Sequence, residues 1–373
     1  MINTITNRQM FFIILLTLTS YSIINVPKDM AASAGTGSWL VLFLASILAG
    51  LVAVIIVSLN NRFHGKMLFE YSAQLITQPG SYLLSLIYVV YFIFHIVFLV
   101  TLEAKLLKAD FFPRSPLWAF PLFSIPVFCF IANKGINTIS RLCELVGIVF
   151  IITGSFVHII MLAEGDVNNI LPLFNAQEIE DYARSFKHVY LPYAPLSVLL
   201  AIPLTQKNGN KSKKTAFFSL IAIGLFYILI VVSSVMKVGL NDIVKYDDSL
   251  IVAIRDTAPK FLEVVARLDI LFLTVGFTGL FMGIAIIMTV IVEYLCRIFK
   301  KASRPLIVIV VGIITFVLFL VASGSREFTE WATDIKIYAG LVLSVFTPLL
   351  LLIISMIKKS KHKEKKKCLL KDS

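Results

Sequence analysis

The side chains able to do chemistry in this chain are sparse and lie inside apolar runs. Tyr88, Tyr91 and His95 fall at i, i+3 and i+7 of one run, a single stripe of a helix. An ionisable ring there is costly in hydrocarbon and often functional. His95 reads as a neutral histidine bonded to a neighbouring helix, with a ligand or proton contact as the alternative. His158, alone in another apolar run, reads as structural.

Two further runs carry hydroxyls next to prolines. In LLTLTSYSIINVP, Thr19, Ser20, Tyr21, Ser22 and Asn25 interrupt the apolar pattern, and Pro27 removes a backbone donor. Proline also turns the preceding Val26 away from helical geometry. In HVYLPYAPLSVLLAIPL, Pro192, Pro195 and Pro203 each free a carbonyl, while Tyr193 and Ser197 supply hydroxyls. Unwound backbone inside a membrane is tolerated only where it lines a cavity or packs in protein. Either stretch by itself is also what a kinked helix without a ligand would show. A third run, GFTGLFMG, holds Gly276, Gly279 and Gly283; packing accounts for these glycines. Thr274 and Thr278, one turn apart, could offer hydroxyls to a pocket.

Enzyme motifs are missing: there is no P-loop, GxSxG, HExxH or GxGxxG after a strand. Cys129, Cys143, Cys296 and Cys368 show no metal-ligand spacing and read as inert thiols. No enzyme activity and no cofactor are expected.

Composition says what must position these side chains. Of 373 residues 58% are hydrophobic and 15% charged, at a mean hydropathy of +0.90. A soluble domain has about 45–50% apolar and about 25% charged residues, so this is an all-helical integral membrane protein. A spanning helix needs about 20 apolar residues. Ten stretches are expected to span: 9–31, 38–60, 82–107, 116–133, 139–163, 186–206, 214–238, 264–296, 304–323 and 335–357. They form one transmembrane domain over 1–358, followed by a basic tail at 359–373. The third stretch is long and carries Glu103, Lys105 and Lys108 at its far end. The first follows only Arg8 and is too long for a cleavable signal, so it reads as a retained helix.

Orientation follows from Lys and Arg. With the N-terminus inside, the inner face holds 21 Lys and Arg against 5 Asp and Glu, and the outer face 13 against 17. Both termini are then cytoplasmic. The tail KKSKHKEKKK reads as a topology anchor and solvated segment, with membrane lipid or a partner as the alternative occupant. It lacks the aromatic rings that nucleic-acid binding would need, so no nucleic acid is expected. Near the membrane edges, Arg141 with Glu144, Glu293 with Arg297 and Glu263 with Arg267 are spaced to pair within one helix.

The two interrupted stretches are the first and sixth of ten. Interruptions at matched positions of two halves mark the substrate site of an inverted-repeat transporter fold. The expectation is therefore a 5+5 inverted repeat like the leucine transporter, with discontinuous helices one and six.

Several loops sharpen this. RFHGKMLFEYSAQLITQPGSYL, FFPRSPLWAF, NKGINTISRLCELVGIVFI, NNILPLF and FLEVVARLDILFL occur in order along the chain. Together they resemble the B-subunit family of spore germinant receptors, in the amino acid–polyamine–organocation superfamily. The resemblance implies a leucine-transporter-like fold and sensing of germinants, usually amino acids, sugars or nucleosides, in the spore inner membrane. It also implies A-type and C-type partner subunits. Carried over by position, the germinant pocket would be lined by Tyr21, Ser22, Asn25, Tyr91, His95, Tyr193, Ala194, Ser197, Thr274 and Thr278. Helix one here lacks the glycine that many members have at its break. A working ion-coupled amino-acid permease is the competing reading.

Overall fold

The computed structural model describes residues 5–63, 65–175, 179–203, 209–245, 268–324, 335 and 338–369. Helices in chain order are α1 (Asn7–Ala34), α2 (Ser38–Asn60), α3 (Leu68–Leu75), α4 (Gln78–Asp110), α5 (Ala119–Lys134) and α6 (Ile136–Glu164). Then come α7 (Ile179–Val189), a 3-10 segment (Leu191–Ala201), α8 (Gly209–Val238), the short α9 (Leu240–Ile243), α10 (Leu268–Ile298) and α11 (Arg304–Ser323). The last helix contains a π turn at Val342–Phe346 and continues as α12 (Thr347–Leu369), well into the lysine-rich tail.

Local signals set the helix starts. Thr6 caps α1 in a reciprocal box: its hydroxyl accepts from Gln9 N at 3.3 Å, and its own N–H donates to Gln9 Oε1 at 3.1 Å. Thr77 caps α4 by accepting from Gly80 N, with a proline just inside the helix. A φ of +86° at Gly135 lets the chain reverse between α5 and α6, a conformation that favours glycine.

Seven stretches are long and apolar enough to cross a membrane among the described residues: Val26–Asn60, Gln78–Ala109, Ile136–Glu164, Gly209–Val238, Thr274–Ile298, Arg304–Ser323 and Tyr338–Lys358. Ala119–Lys134 and Pro192–Ala201 are apolar but shorter than a perpendicular span requires. Among the described residues length and hydropathy therefore give seven spans, and the expected ten are not confirmed. The protein is a multi-pass membrane protein whose outward faces are dense in Leu, Ile, Val and Phe, such as Leu83, Phe123, Phe130 and Ile152.

The interior is built on α1 and α10. α1 packs on α10, α8, α6 and the 3-10 segment, while α10 also packs on α6, α4 and α5; α2 lies along α8. Small residues permit the closest approaches. A methyl group at Gly283 of α10 would overlap Ser20 of α1, and one at Gly224 of α8 would overlap Ser46 of α2.

Charges tie the two ends of the bundle. At the basic end Arg8 pairs with Glu144 (2.7 Å), Arg304 with Glu293 (2.7 Å) and Arg297 with Glu70. There too Arg62 donates to Ser355 and Lys358 to the Gln74 carbonyl. At the opposite end Lys237 meets Glu164, Thr36 donates to Pro172 O and Trp39 to Leu173 O. The expected pairs within one helix are not formed: Glu144 and Glu293 both bond to arginines of other helices, or beyond their own. Several cations compete there for few carboxylates, and tertiary approach outweighs a surface i, i+4 pair of about 0.2–0.5 kcal/mol. Glu263 and Arg267 lie outside the described residues.

The expected break in helix one is corrected by the structure. α1 runs uninterrupted from Asn7 to Ala34 with Pro27 inside it. The Thr19 and Ser20 hydroxyls turn back onto the helix without unwinding it: Thr19 donates to Leu15 O and Ser20 to Thr17 O, both at 2.7 Å. Pro27 removes one donor near the C-terminal end, which is too little to separate two half-helices. The sixth helix is interrupted as expected. α7 ends at Val189, and the chain continues as a 3-10 segment with Pro192 at its start and Pro195 within it. It becomes extended at Ile202.

Candidate functional site

The interrupted segment crosses the buried interior, so its backbone polar groups need partners other than water. Neighbouring side chains supply them. From α4, the Tyr91 hydroxyl donates to Ala194 O at 3.2 Å. From α2, Asn60 Nδ2 donates to Leu199 O at 2.8 Å, and Tyr71 of α3 donates in turn to Asn60 Oδ1 at 3.3 Å. The chain entering α1 closes the far end, where Ile5 N donates to Pro203 O.

The last helix joins the same network through its π turn. Tyr88 donates to Leu343 O at 2.6 Å, and the Tyr190 and Ser344 hydroxyls share a hydrogen bond of 2.6 Å. Gly340 lies against both Ala194 and the Tyr91 hydroxyl, so a side chain there would strike the Ala194 methyl. α4, the π turn of the last helix and the chain around the 3-10 segment are thus cross-linked by three tyrosines.

Tyr193 is fully buried and sits edge-on to Tyr227 of α8, with ring centroids 5.6 Å apart. The hydroxyls of Tyr193 and Ser197 are buried without a hydrogen-bond partner among the described residues. Buried hydroxyls left this way are costly, and here two occur four residues apart. His95 is buried one turn from Tyr91, whose ring lies 6.2 Å from it. His158 bonds Ser233 of α8 at 2.8 Å, in keeping with a structural role.

The structure therefore gathers Tyr91, His95, Tyr193, Ala194 and Ser197 into one buried region around the 3-10 segment, together with Pro192 and Pro195. Thr274 and Thr278 are not part of it. Both are exposed, and Thr278 donates to the Thr274 carbonyl of its own helix at 2.7 Å. A hydroxyl that can bond its own helix backbone needs no pocket. Tyr21, Ser22 and Asn25 belong to unbroken α1, and their side chains lie outside the described residues.

Where α1 meets the segment, a cavity of about 10 Å³ is lined by Ile13, Ile14, Thr17, Leu18, Pro195, Leu196, Val198 and Leu199. That holds about one water, so this packing is closed. Among the described residues no group of His, Cys, Asp and Glu is arranged to hold a metal ion.

Asn60, Tyr190, Gly340 and Ser344 were not foreseeable as partners of this segment from span patterning. Only Pro348 leaves a trace in the sequence: lacking an N–H, it cannot bond Ser344 O, and the π turn lies immediately before it.

An all-helical membrane bundle with an interrupted sixth helix is a transporter-type architecture. The crystal structure of MhsT in complex with L-phenylalanine superposes with a TM-score of 0.60 at 12% identity, covering 95% of this chain and 99% of that one. That likeness establishes a leucine-transporter-type fold. The sequence model described as "Spore germination protein" matches residues 4–326, and the chain belongs to that family. Spore germination protein KB of Bacillus subtilis is 20% identical over 366 residues, 96% of each chain. Spore germination protein GerLB of Bacillus cereus is 21% identical, covering 95% of this chain and 94% of its own length. Spore germination protein YndE of Bacillus subtilis is 19% identical over 241 residues, about two thirds of each.

Proposed function

We propose that this chain is the germinant-sensing membrane subunit of a spore nutrient receptor, and that its ligand is a small nutrient, an amino acid. In this reading residues 1–358 form one ten-helix unit of two five-helix halves. Both termini face the cytoplasm at the basic end, and 359–373 is a basic tail. A-type and C-type subunits assemble with it in the spore inner membrane.

The observation that carries the reading is the 3-10 segment in the protein interior. Its Ala194 and Leu199 carbonyls are held by Tyr91 and Asn60, while the Tyr193 and Ser197 hydroxyls have no partner among the described residues. Carbonyls and hydroxyls of this kind suit an ammonium group, and a carboxylate suits freed backbone N–H groups. A cavity of about 10 Å³ admits no amino acid, so binding selects a packing in which α1 and the segment stand further apart. A ligand shifts that equilibrium by its difference in affinity for the two packings, and the shift is what partner subunits would read.

The test is equilibrium binding of radiolabelled L-amino acids to the full chain in proteoliposomes, paired with germination of spores carrying Tyr193→Leu. Saturable binding lost in the variant, with a matching germination defect, supports the reading. Germination unchanged by Tyr193→Leu would sink it. The alternative, an ion-coupled amino-acid permease, draws on the fold shared with MhsT, whose structure holds L-phenylalanine. Accumulation of label against a gradient by this chain alone would favour that alternative.

A further inference from the structure

Glu103 has no role in the site described above. It lies in α4, seven residues before that helix ends at Asp110, and its side chain is fully buried. Neither carboxyl oxygen has a hydrogen-bond or ionic partner among the described residues. The hydroxyl of Ser124 faces it from α5; it too is buried and completes no hydrogen bond.

Among the described residues the surroundings offer no cation to balance a negative charge. α4 packs on α3, α5, α10 and α11. Among the described residues Ser124 is the polar group those helices turn toward Glu103, and no Lys, Arg, His, Asp or Glu of theirs faces it. On its own helix, Lys105 and Lys108 are exposed. Among the described residues an ionised carboxylate here would have no cation beside it and only the Ser124 hydroxyl as donor, a costly state for a side chain stripped of water. The neutral acid avoids that cost, and it also changes the hydrogen-bond chemistry: its O–H can donate to Ser124 Oγ, which a carboxylate cannot do.

We infer that Glu103 is a proton-binding site: the buried Glu103–Ser124 pair takes a proton as its ligand while α4 and α5 are packed together. The site lies two helical turns, about 10 Å, from the end of α4. When the packing at that end loosens, the O–H bond of the acid breaks, the proton passes to entering water, and the carboxylate remains solvated. Closure runs the same transfer in reverse. Any opening of this end is thereby linked to pH, because the open form binds one proton fewer. The inference rests on burial and geometry alone and stands whether or not the chain binds a nutrient.

Infrared spectroscopy of the full chain in proteoliposomes tests it directly. Protein made with carboxyl-13C glutamate should show, at pH 7, a protonated-carboxyl stretching band that shifts with the label and is lost in Glu103→Gln. The absence of any label-sensitive protonated band at pH 7 overturns the inference without any variant. A band that survives unchanged in Glu103→Gln overturns it too. Should the Gln variant fail to reach the membrane, Glu103→Asp carries the comparison. Glutamate labelling then leaves no shifting band if Glu103 is the source, and an unchanged band overturns the assignment.

Discussion

α1 and the 3-10 segment both carry hydroxyls near proline, and they fold differently. In α1 the Thr19 and Ser20 hydroxyls bond carbonyls one turn back, and the polar run stays helical. In the segment, prolines stand at its start and within it, and its carbonyls are taken by side chains of α2 and α4. Hydroxyls decorate a helix, whereas closely spaced prolines take its hydrogen bonds away. What then holds the broken stretch is the chemistry of its neighbours.

Substitutions can break this comparison or sharpen it. The largest effect is expected where α1 must lie close to its neighbour. Gly283→Leu would drive a side chain into Ser20 and the Leu16 carbonyl, at an overpacking cost of about 3 kcal/mol. The thermal midpoint in detergent should fall steeply, and an unchanged midpoint would mean that α1 is not held as described. Next comes Asn60→Leu, which strips the side-chain donor from Leu199 O and the acceptor from Tyr71. A loss of about 1–3 kcal/mol in unfolding free energy is expected.

Tyr91→Phe removes the single hydrogen bond to Ala194 O and should cost about 1 kcal/mol in the same unfolding measurement. The smallest effect belongs to α1: Thr19→Ala deletes a bond made within one helix and should change stability by less than about 0.5 kcal/mol. If Thr19→Ala proved as damaging as Asn60→Leu, the distinction between self-satisfied and neighbour-satisfied polar groups would fail.

Much of the architecture is legible in the residues themselves. The sixth-helix interruption follows from Pro192 and Pro195 because a missing N–H is a local property. The close contacts at Gly279 and Gly283 follow from their spacing: a methyl group at either would strike Phe150 or Ser20. Thr274 and Thr278 misled because one turn of spacing says nothing about which way a helix faces. The ion pairs misled for a related reason. Arg297 is four residues from Glu293, yet it pairs with Glu70, and Glu293 goes to Arg304.

What the chain determined unaided is its solvent: with 58% hydrophobic residues, hydrocarbon is the medium in which its outer faces are stable, and helices satisfy the backbone there. It also determined where backbone donors are missing, as at Pro192 and Pro195, though a lone proline such as Pro27 leaves its helix unbroken. Only the tertiary structure decided which partners answer the freed groups. Asn60 reaches Leu199 across 139 positions, and Tyr88 reaches Leu343 across 255. Such contacts depend on how whole helices face one another, and that facing is set by packing many side chains at once, which no local pattern encodes.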